Sequence, residues 1–296
     1  MSSKVLWLGL VLLVAVAFVP LVGAQDPEQE DVRGAFLTTR PKAAEKPATG
    51  STPTKVNHRR PKPVVKKNPE KEDPTPTPVA EKNPKPTQRL GLGLTLFMRD
   101  SNGLAVRTDP NHDFKKGDRV RVLLETNADG HLYIFNTTDG GAPVMIYPSV
   151  QLDEAGNYIQ AHVPFEIPSS LADEDRLRWF EFDATAGTER LYFVFSREPL
   201  KNVPIEDDLI KFCGADKLAC SWRPDNELWS GLKKEMESPT RADNSHKFGK
   251  AQTNGEQEAT LRGIGLAKED AEPTMVIMTA SSGPSMLVTA LDLSHK

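Results

Sequence analysis

"ETNADGHLYIFN", residues Glu125 to Asn136, decides how the chain is read. Glu125, Asn127 and Asp129 put oxygen-bearing side chains at alternate positions before Gly130, which is how a calcium loop of the helix-loop-helix kind begins. Such a loop needs flanking helices and a carboxylate at its twelfth position. The twelfth residue here is Asn136, and the flanks alternate with period two. Before the stretch, Val120, Val122 and Leu124 alternate with Arg121, Leu123 and Glu125. After Gly130, Leu132 and Ile134 alternate with His131, Tyr133 and Phe135. The expectation is two core strands joined by a four-residue hairpin turn over Asn127–Gly130, with Gly130 at positive φ and no metal.

The same signature repeats outward. "LGLGLTLFMR", "PVMIYP", "AHVPFEIP", "RWFEFDA" and "ERLYFVFS" read as strands, with Pro164 marking an edge or bulge. "ERLYFVFS" is apolar on both faces, as a central strand would be. Turn clusters such as Asp139-Gly140-Gly141 separate these runs. "TMVIMTASSGPSMLVTALDLSHK" ends the chain as a hairpin turning at Ser281 to Pro284. Many short strands at close spacing predict an all-β fold, an antiparallel β-sandwich. Helix signals are sparse. "PSSLADEDR" carries a cap-like Ser170 and Asp173, "IEDDLIKFCG" stops at Gly214, and "PDNELWSGLKKEMES" puts Leu228, Leu232 and Met236 on one face around a weakening Gly231. Ser238 to Glu272 is polar and expected to be mobile. The sandwich is therefore predicted over 89–198 plus 273–296, with 199–272 a small helical insertion.

The N-terminal part differs in kind. Lys4, the apolar run Val5–Val19 and Val22-Gly23-Ala24 predict a signal peptide over 1–24, cleaved after Ala24. The run is also long enough for an uncleaved membrane anchor, and both readings place the rest outside the cytoplasm, periplasmic or secreted. Residues 25–88 hold 12 of the 24 prolines and a single aromatic, Phe36. Such a segment buries too little apolar surface to offset its ordering entropy and is expected to be a disordered Pro/Lys-rich spacer, reaching roughly 200 Å if extended. "VRGAFLTTR", Val32 to Arg40, is the one less polar island, read as linker or as a short docking strand. The spacer carries 13 Lys and Arg against 9 Asp and Glu, and Lys4 adds one positive charge. A chain of net charge −4 therefore leaves −9 on residues 89–296. Lys55, Arg59, Arg60, Lys62, Lys66 and Lys67 are concentrated in one run that suits an anionic surface, a lipid headgroup or the acidic domain itself. An acidic folded part and a basic run without aromatics do not suit nucleic acid.

The order of short motifs is more specific than any one of them. Gly117-Asp118, the turn at Gly130, Leu132-Tyr133-Ile134, Tyr147-Pro148, Ile167-Pro168 and Ser196 follow the pattern of a bacterial family, the domain of unknown function numbered 4384, which the chain resembles over about residues 90–200. His131 stands where that family often has an aromatic. The resemblance implies an extracytoplasmic β-rich module and carries no catalytic residue with it.

The chemistry in the sequence is thin. There is no nucleophile elbow or phosphate loop, the six histidines lack metal-ligand spacing, and no cofactor is expected. Cys213 and Cys220 are read as a disulfide, since an exported chain meets an oxidising compartment. A zinc site would need two more ligands, and His246 is a poor one. Trp179, Tyr133 and Tyr147 are the candidate binding residues, because exposed aromatics bind sugars, peptides or proteins. The expected function is a non-enzymatic interaction module that binds a protein or envelope polymer. An enzyme whose residues converge only in three dimensions, and a structural spacer protein, are the rival readings.

Overall fold

The alternation of residues 119–138 places its two strands in different sheets. The computed structural model describes residues 31–42, 88–152, 155–215 and 220–296. The expected signal peptide or anchor, most of the spacer and its basic run lie outside these residues. In chain order the elements are α1 (Val32–Thr38), β1 (Gly91–Arg99), β2 (Ala105–Arg107), β3 (Arg119–Thr126), β4 (Gly130–Thr138), β5 (Val144–Tyr147), β6 (Tyr158–Ile159), β7 (Phe165–Ile167), β8 (Phe180–Glu181) and β9 (Gly187–Ser196). α2 (Glu206–Cys213), α3 (Asn226–Met236), β10 (Thr240–Asn244), α4 (Asn254–Arg262), β11 (Met275–Thr279) and β12 (Met286–His295) follow. One sheet runs β10-β11-β1-β3-β7, with β2 on β1 and β8 on β3. The second runs β12-β9-β4-β5, with β6 on β4. Every strand pair is antiparallel, so the expected sandwich is present.

Two expected hairpins are arches between the sheets. β3 belongs to the first sheet and β4 to the second, so residues 127–129 cross the core rather than turn within one sheet. Gly130 is not at positive φ. It is glycine because a Cβ there would lie 2.5 Å from the Ser196 carbonyl oxygen and 2.6 Å from the Phe195 ring on β9. The oxygens that resembled a calcium loop are already engaged. Asn127 accepts from the Gly91 N–H at 2.7 Å, and Asp129 accepts from the Ala161 N–H and the Tyr158 hydroxyl. The C-terminal pair behaves likewise: β11 joins β1 and β12 joins β9. The inward phases of both sheets, including Leu92, Leu94, Val122, Leu124, Leu132, Ile134, Phe193, Phe195, Leu287 and Leu291, fill the space between.

The outer faces are covered, which a half-solvated sandwich would not require. Tyr133, Phe135, Tyr192, Val194 and Val288 form a second apolar layer under Leu209 of α2 and Leu232 of α3. This explains the doubly apolar β9, which lies between β12 and β4. α3 starts where Asp225 accepts the Leu228 N–H at 2.8 Å. Cys213, ending α2, is bonded to Cys220. The stretch 238–272, expected to be mobile, supplies β10 and α4, and α4 opens with a reciprocal capping box between Thr253 and Glu256. The Ser170–Asp173 cap is not used. A single turn of 3₁₀ helix forms later, at Asp175–Leu177, without a side-chain cap.

The outer face of the first sheet is closed by charge. Arg107 pairs with Glu256 at 2.5 Å, and Arg121 lies 3.6 Å from Glu166 and 4.3 Å from the centre of the Trp179 ring. Burial pulls the Arg121 guanidinium pKa down, and the Glu166 carboxylate opposes that shift. Residues 32–40 are neither linker nor strand. They form α1 and its C-terminal extension, docked on this face. Phe36 is fully buried against Gly91 and Gly93, whose missing Cβ atoms make its seat. The alternating glycines of β1 are thus the floor of a groove. Arg33 binds Asp243 at 3.0 and 2.9 Å and the Pro273 carbonyl oxygen. Arg40, 2% exposed, binds Glu125 with two parallel bonds at 2.8 and 2.7 Å. Its remaining donors go to the carbonyls of Ala267, Asp270 and Ala271.

Removing one partner of a buried pair leaves an uncompensated charge. Arg40→Ala is therefore expected to cost about 3–5 kcal/mol in urea unfolding and to open the segment to trypsin at Arg33. Glycines separate by environment. Gly130→Ala meets fixed backbone and should cost about 1–3 kcal/mol. Gly231→Ala, with nothing near its added Cβ, should raise stability by about 0.5–1 kcal/mol. Equal effects of the two in the same unfolding assay would contradict this account.

Candidate binding cleft

None of the three aromatics expected to bind a ligand is exposed. Tyr147 is fully buried between the sheets, its ring 4.6 Å from that of Phe165. Tyr133 is fully buried under the insertion, and its hydroxyl accepts the Leu200 N–H at 2.9 Å. Burial pushes its phenol pKa up. Trp179, 8% exposed, packs beside Phe97 and Leu123 beneath Arg121. These aromatics are core, and the residues that can meet a ligand lie elsewhere.

The cleft arises where the inward phase of two neighbouring strands turns from apolar to polar. On β4 the phase reads Leu132, Ile134, Asn136, Thr138. On β9 it reads Phe195, Phe193, Leu191, Glu189. The register pairs Ile134 with Phe193, Asn136 with Leu191, and Thr138 with Glu189. At this end of the sandwich, away from the 127–129 arch, the sheets enclose a cleft of about 270 Å³. Val120, Val122, Ile146, Leu191 and Leu293 give it an apolar floor, and Phe180 and Phe182 wall one side. Phe182 is held by stacking on Phe114 at 4.8 Å and by the His295 ring at 5.1 Å.

The polar edge is preset. Asn136 donates to Glu189 at 2.7 Å, and the Thr138 hydroxyl donates to it at 2.9 and 3.0 Å. Two donors fix the carboxylate of a half-buried Glu189 at the edge of an apolar floor. The Asn136 Oδ1 is buried and has no hydrogen-bond partner among the described residues. Glu181 and Asp183 add carboxylates to the rim. Glu181 is engaged by Arg119 at 2.8 Å, and Asp183 accepts the Thr185 N–H at 2.6 Å. The arrangement offers a small apolar seat with anionic acceptors at its mouth. It suits the aliphatic stem and charged head of a Lys or Arg side chain, or a compact alkylammonium. Its volume is below the usual range for cofactor sites.

A second polar constellation joins a hydroxyl, an imidazole and a carboxylate. Thr39 Oγ1 lies 2.9 Å from His162 Nε2, and His162 Nδ1 lies 2.7 Å from Glu125. An activated nucleophile directs its proton to the imidazole. The Thr39 hydroxyl instead donates to the Phe36 carbonyl at 2.6 Å, and Glu125 is occupied on both oxygens by Arg40. The constellation fastens α1. Among the described residues no group of three His, Cys, Asp or Glu is placed to hold a metal, and no helix is long and apolar enough to cross a membrane.

The cleft combines an inward phase legible in the sequence with partners that are not. "IFNTT" shows Asn136 and Thr138 continuing the phase of Ile134. Glu189 appears in sequence only as the start of a strand, and Leu293 and His295 come from the end of the chain.

If Tyr133 is a structural anchor, Tyr133→Phe leaves the Leu200 N–H without its acceptor. It should cost about 1–3 kcal/mol in thermal or urea unfolding and leave any ligand affinity unchanged.

Residues 113–199 match the family model of a domain of unknown function (DUF4384), the family the motif order resembles. The match includes β3 to β9 and all the cleft residues except Leu293 and His295; α1, β1 and the insertion lie outside it. No curated protein matches the chain, and no solved structure does.

Proposed function

We propose that this protein is a non-enzymatic interaction module, exported from the cytoplasm, that receives a cationic side chain of a protein partner in the cleft between its sheets. The observation that carries this reading is the Glu189 carboxylate, oriented by Asn136 and Thr138 above an apolar floor. A carboxylate fixed in place binds a cation at little further ordering cost. The acidic balance of residues 89–296 adds long-range attraction for such a partner. Export is supported by the N-terminal apolar segment and by the Cys213–Cys220 disulfide, a bond that persists in oxidising compartments. The enzyme reading would use the meeting of His295 with Glu181, Asp183 and Glu189 in the cleft. No side-chain hydrogen bond joins His295 to a carboxylate among the described residues, and the binding reading uses the cleft as it stands.

The test is calorimetric titration of the full chain with two short apolar peptides that differ only in a central Lys or Glu. The Lys peptide should bind at least about tenfold more tightly, since one charge-assisted contact contributes about 1.5–3 kcal/mol. Glu189→Gln should remove that preference, added salt should weaken it, and Trp179→Phe should leave it intact. Equal affinity for the two peptides would exclude the cationic reading. Chemical conversion of a peptide, abolished by Glu189→Gln, would exclude the non-enzymatic one.

A further inference from the structure

The groove occupied by α1 is built as a receptor for a separate peptide. Its ligand is contributed by four side chains of a twelve-residue segment, residues 31–42. Phe36 fills the slot above Gly91 and Gly93, and Val32 packs beside it with Val276 and Met278. Arg33 is clamped by Asp243 and the carbonyls of Pro273 and Thr274. Arg40 enters a closed site made by Glu125 and three backbone carbonyls, where all five guanidinium donors are used. A glycine-floored slot flanked by two arginine sites recognises sequence and not merely apolar surface.

The connection of this segment to the domain is far longer than its docked position requires. Arg40 binds Glu125, and Gln88, where the described chain resumes, donates to the Asn127 carbonyl. Those contacts fall on residues two apart in sequence, whose Cα atoms are at most roughly 7 Å apart. A few residues would bridge them. The sequence places 45 residues between Lys42 and Gln88, with a reach of up to roughly 150 Å. A tether much longer than the span it closes lowers the effective concentration of the tethered ligand, to the order of millimolar. The groove is therefore open to competition from an identical segment on a neighbouring chain.

We propose that residues 31–42 are an exchangeable ligand, and that the segment of one copy docks in the groove of a second copy, linking the chains through the contacts now made within one chain. Reciprocal exchange preserves every docked contact, so crowding or a shared surface decides between the closed and the exchanged forms. The proposal is independent of the cleft and of its ligand.

Two full-chain variants test it. Phe36→Ala with Arg40→Ala has a spoiled segment and an intact groove. Gly91→Val has an intact segment and a filled slot, because even a Cβ at residue 91 lies 2.8 Å from the Phe36 ring. Each alone should remain monomeric by light scattering. An equimolar mixture should form a one-to-one dimer at concentrations on the order of 0.1 mM, well below the effective concentration of the tether. A fluorescent peptide of residues 31–42 should bind the first variant at least tenfold more tightly than the second. A mixture that stays monomeric overturns the proposal even if the peptide binds. Should either variant fail to fold, the wild-type chain decides: excess peptide must accelerate tryptic cleavage of the chain after Arg33, and unchanged cleavage overturns it.

Discussion

Glu125 ends β3 as a carboxylate only 2% exposed, and a buried charge of that kind must be paired and hydrogen-bonded. The nearest cation in space is Arg40, 85 residues away in sequence. To reach it, the chain folds a short helix onto the sheet, seats Phe36 on two glycines and clamps Arg33 against β10 and β11. Arg40 then donates to the carbonyls of residues 267, 270 and 271, so the same pair holds the end of the insertion. His162 closes the other side of Glu125 and ties the segment before β7 to it. One desolvated carboxylate thus sits where four stretches of chain meet, alongside the backbone hydrogen bonds from His162 to Thr126, Leu266 to His162 and Lys268 to Pro41.

The same logic extends along β3. Arg121 and Glu125 occupy the phase opposite the inter-sheet core, where a simple sandwich meets water. Here that phase is covered, and each buried charge has a partner from a different segment: Glu166 from β7, Gln252 from the loop before α4, Arg40 from just after α1. The insertion also adds β10 at the sheet's edge. Its sequence "TRADN" is polar and at least partly exposed throughout, which discourages edge-to-edge pairing with other chains. On the second sheet the cover is apolar, with Trp229 near Phe135 and Tyr192. One face is closed by ion pairs and the other by aromatic packing, so both sheets are interior.

Burying both faces leaves little of either sheet accessible. Tyr133 and Trp179 stand on outer faces and become core once the covers are in place, whereas Tyr147 lies between the sheets. What remains accessible is the end of the sandwich, where Asn136, Thr138 and Glu189 continue an inward phase that has run out of apolar residues. The cleft and the α1 groove present related chemistry, a carboxylate beside an apolar seat. They differ in occupancy: the groove holds Arg40 of the same chain, and in the cleft the Glu189 carboxylate is bonded to Asn136 and Thr138.

Local periodicity was enough to recognise the strands, because side chains alternate along a strand whatever its partner. It marked Val120, Val122, Leu124, Leu132 and Ile134 as core and β9 as a central strand; end signals and one apolar face marked α2 and α3, the expected oxidising compartment paired the cysteines, and motif order matched the family. Pairing is not local. Nothing in Asn127–Gly130 tells a hairpin from an arch, since either is a short polar connection with a glycine; which forms depends on whether residues beyond it belong to β9 or to β1. Helix α1 escaped notice for the same reason. Seven residues in a proline-rich stretch have no stability of their own, and Phe36 and Arg40 acquire meaning only against Gly91, Gly93 and Glu125. Sequence by itself determined which residues alternate. Tertiary structure decided which alternating face meets water, because that depends on the segments that arrive to cover it.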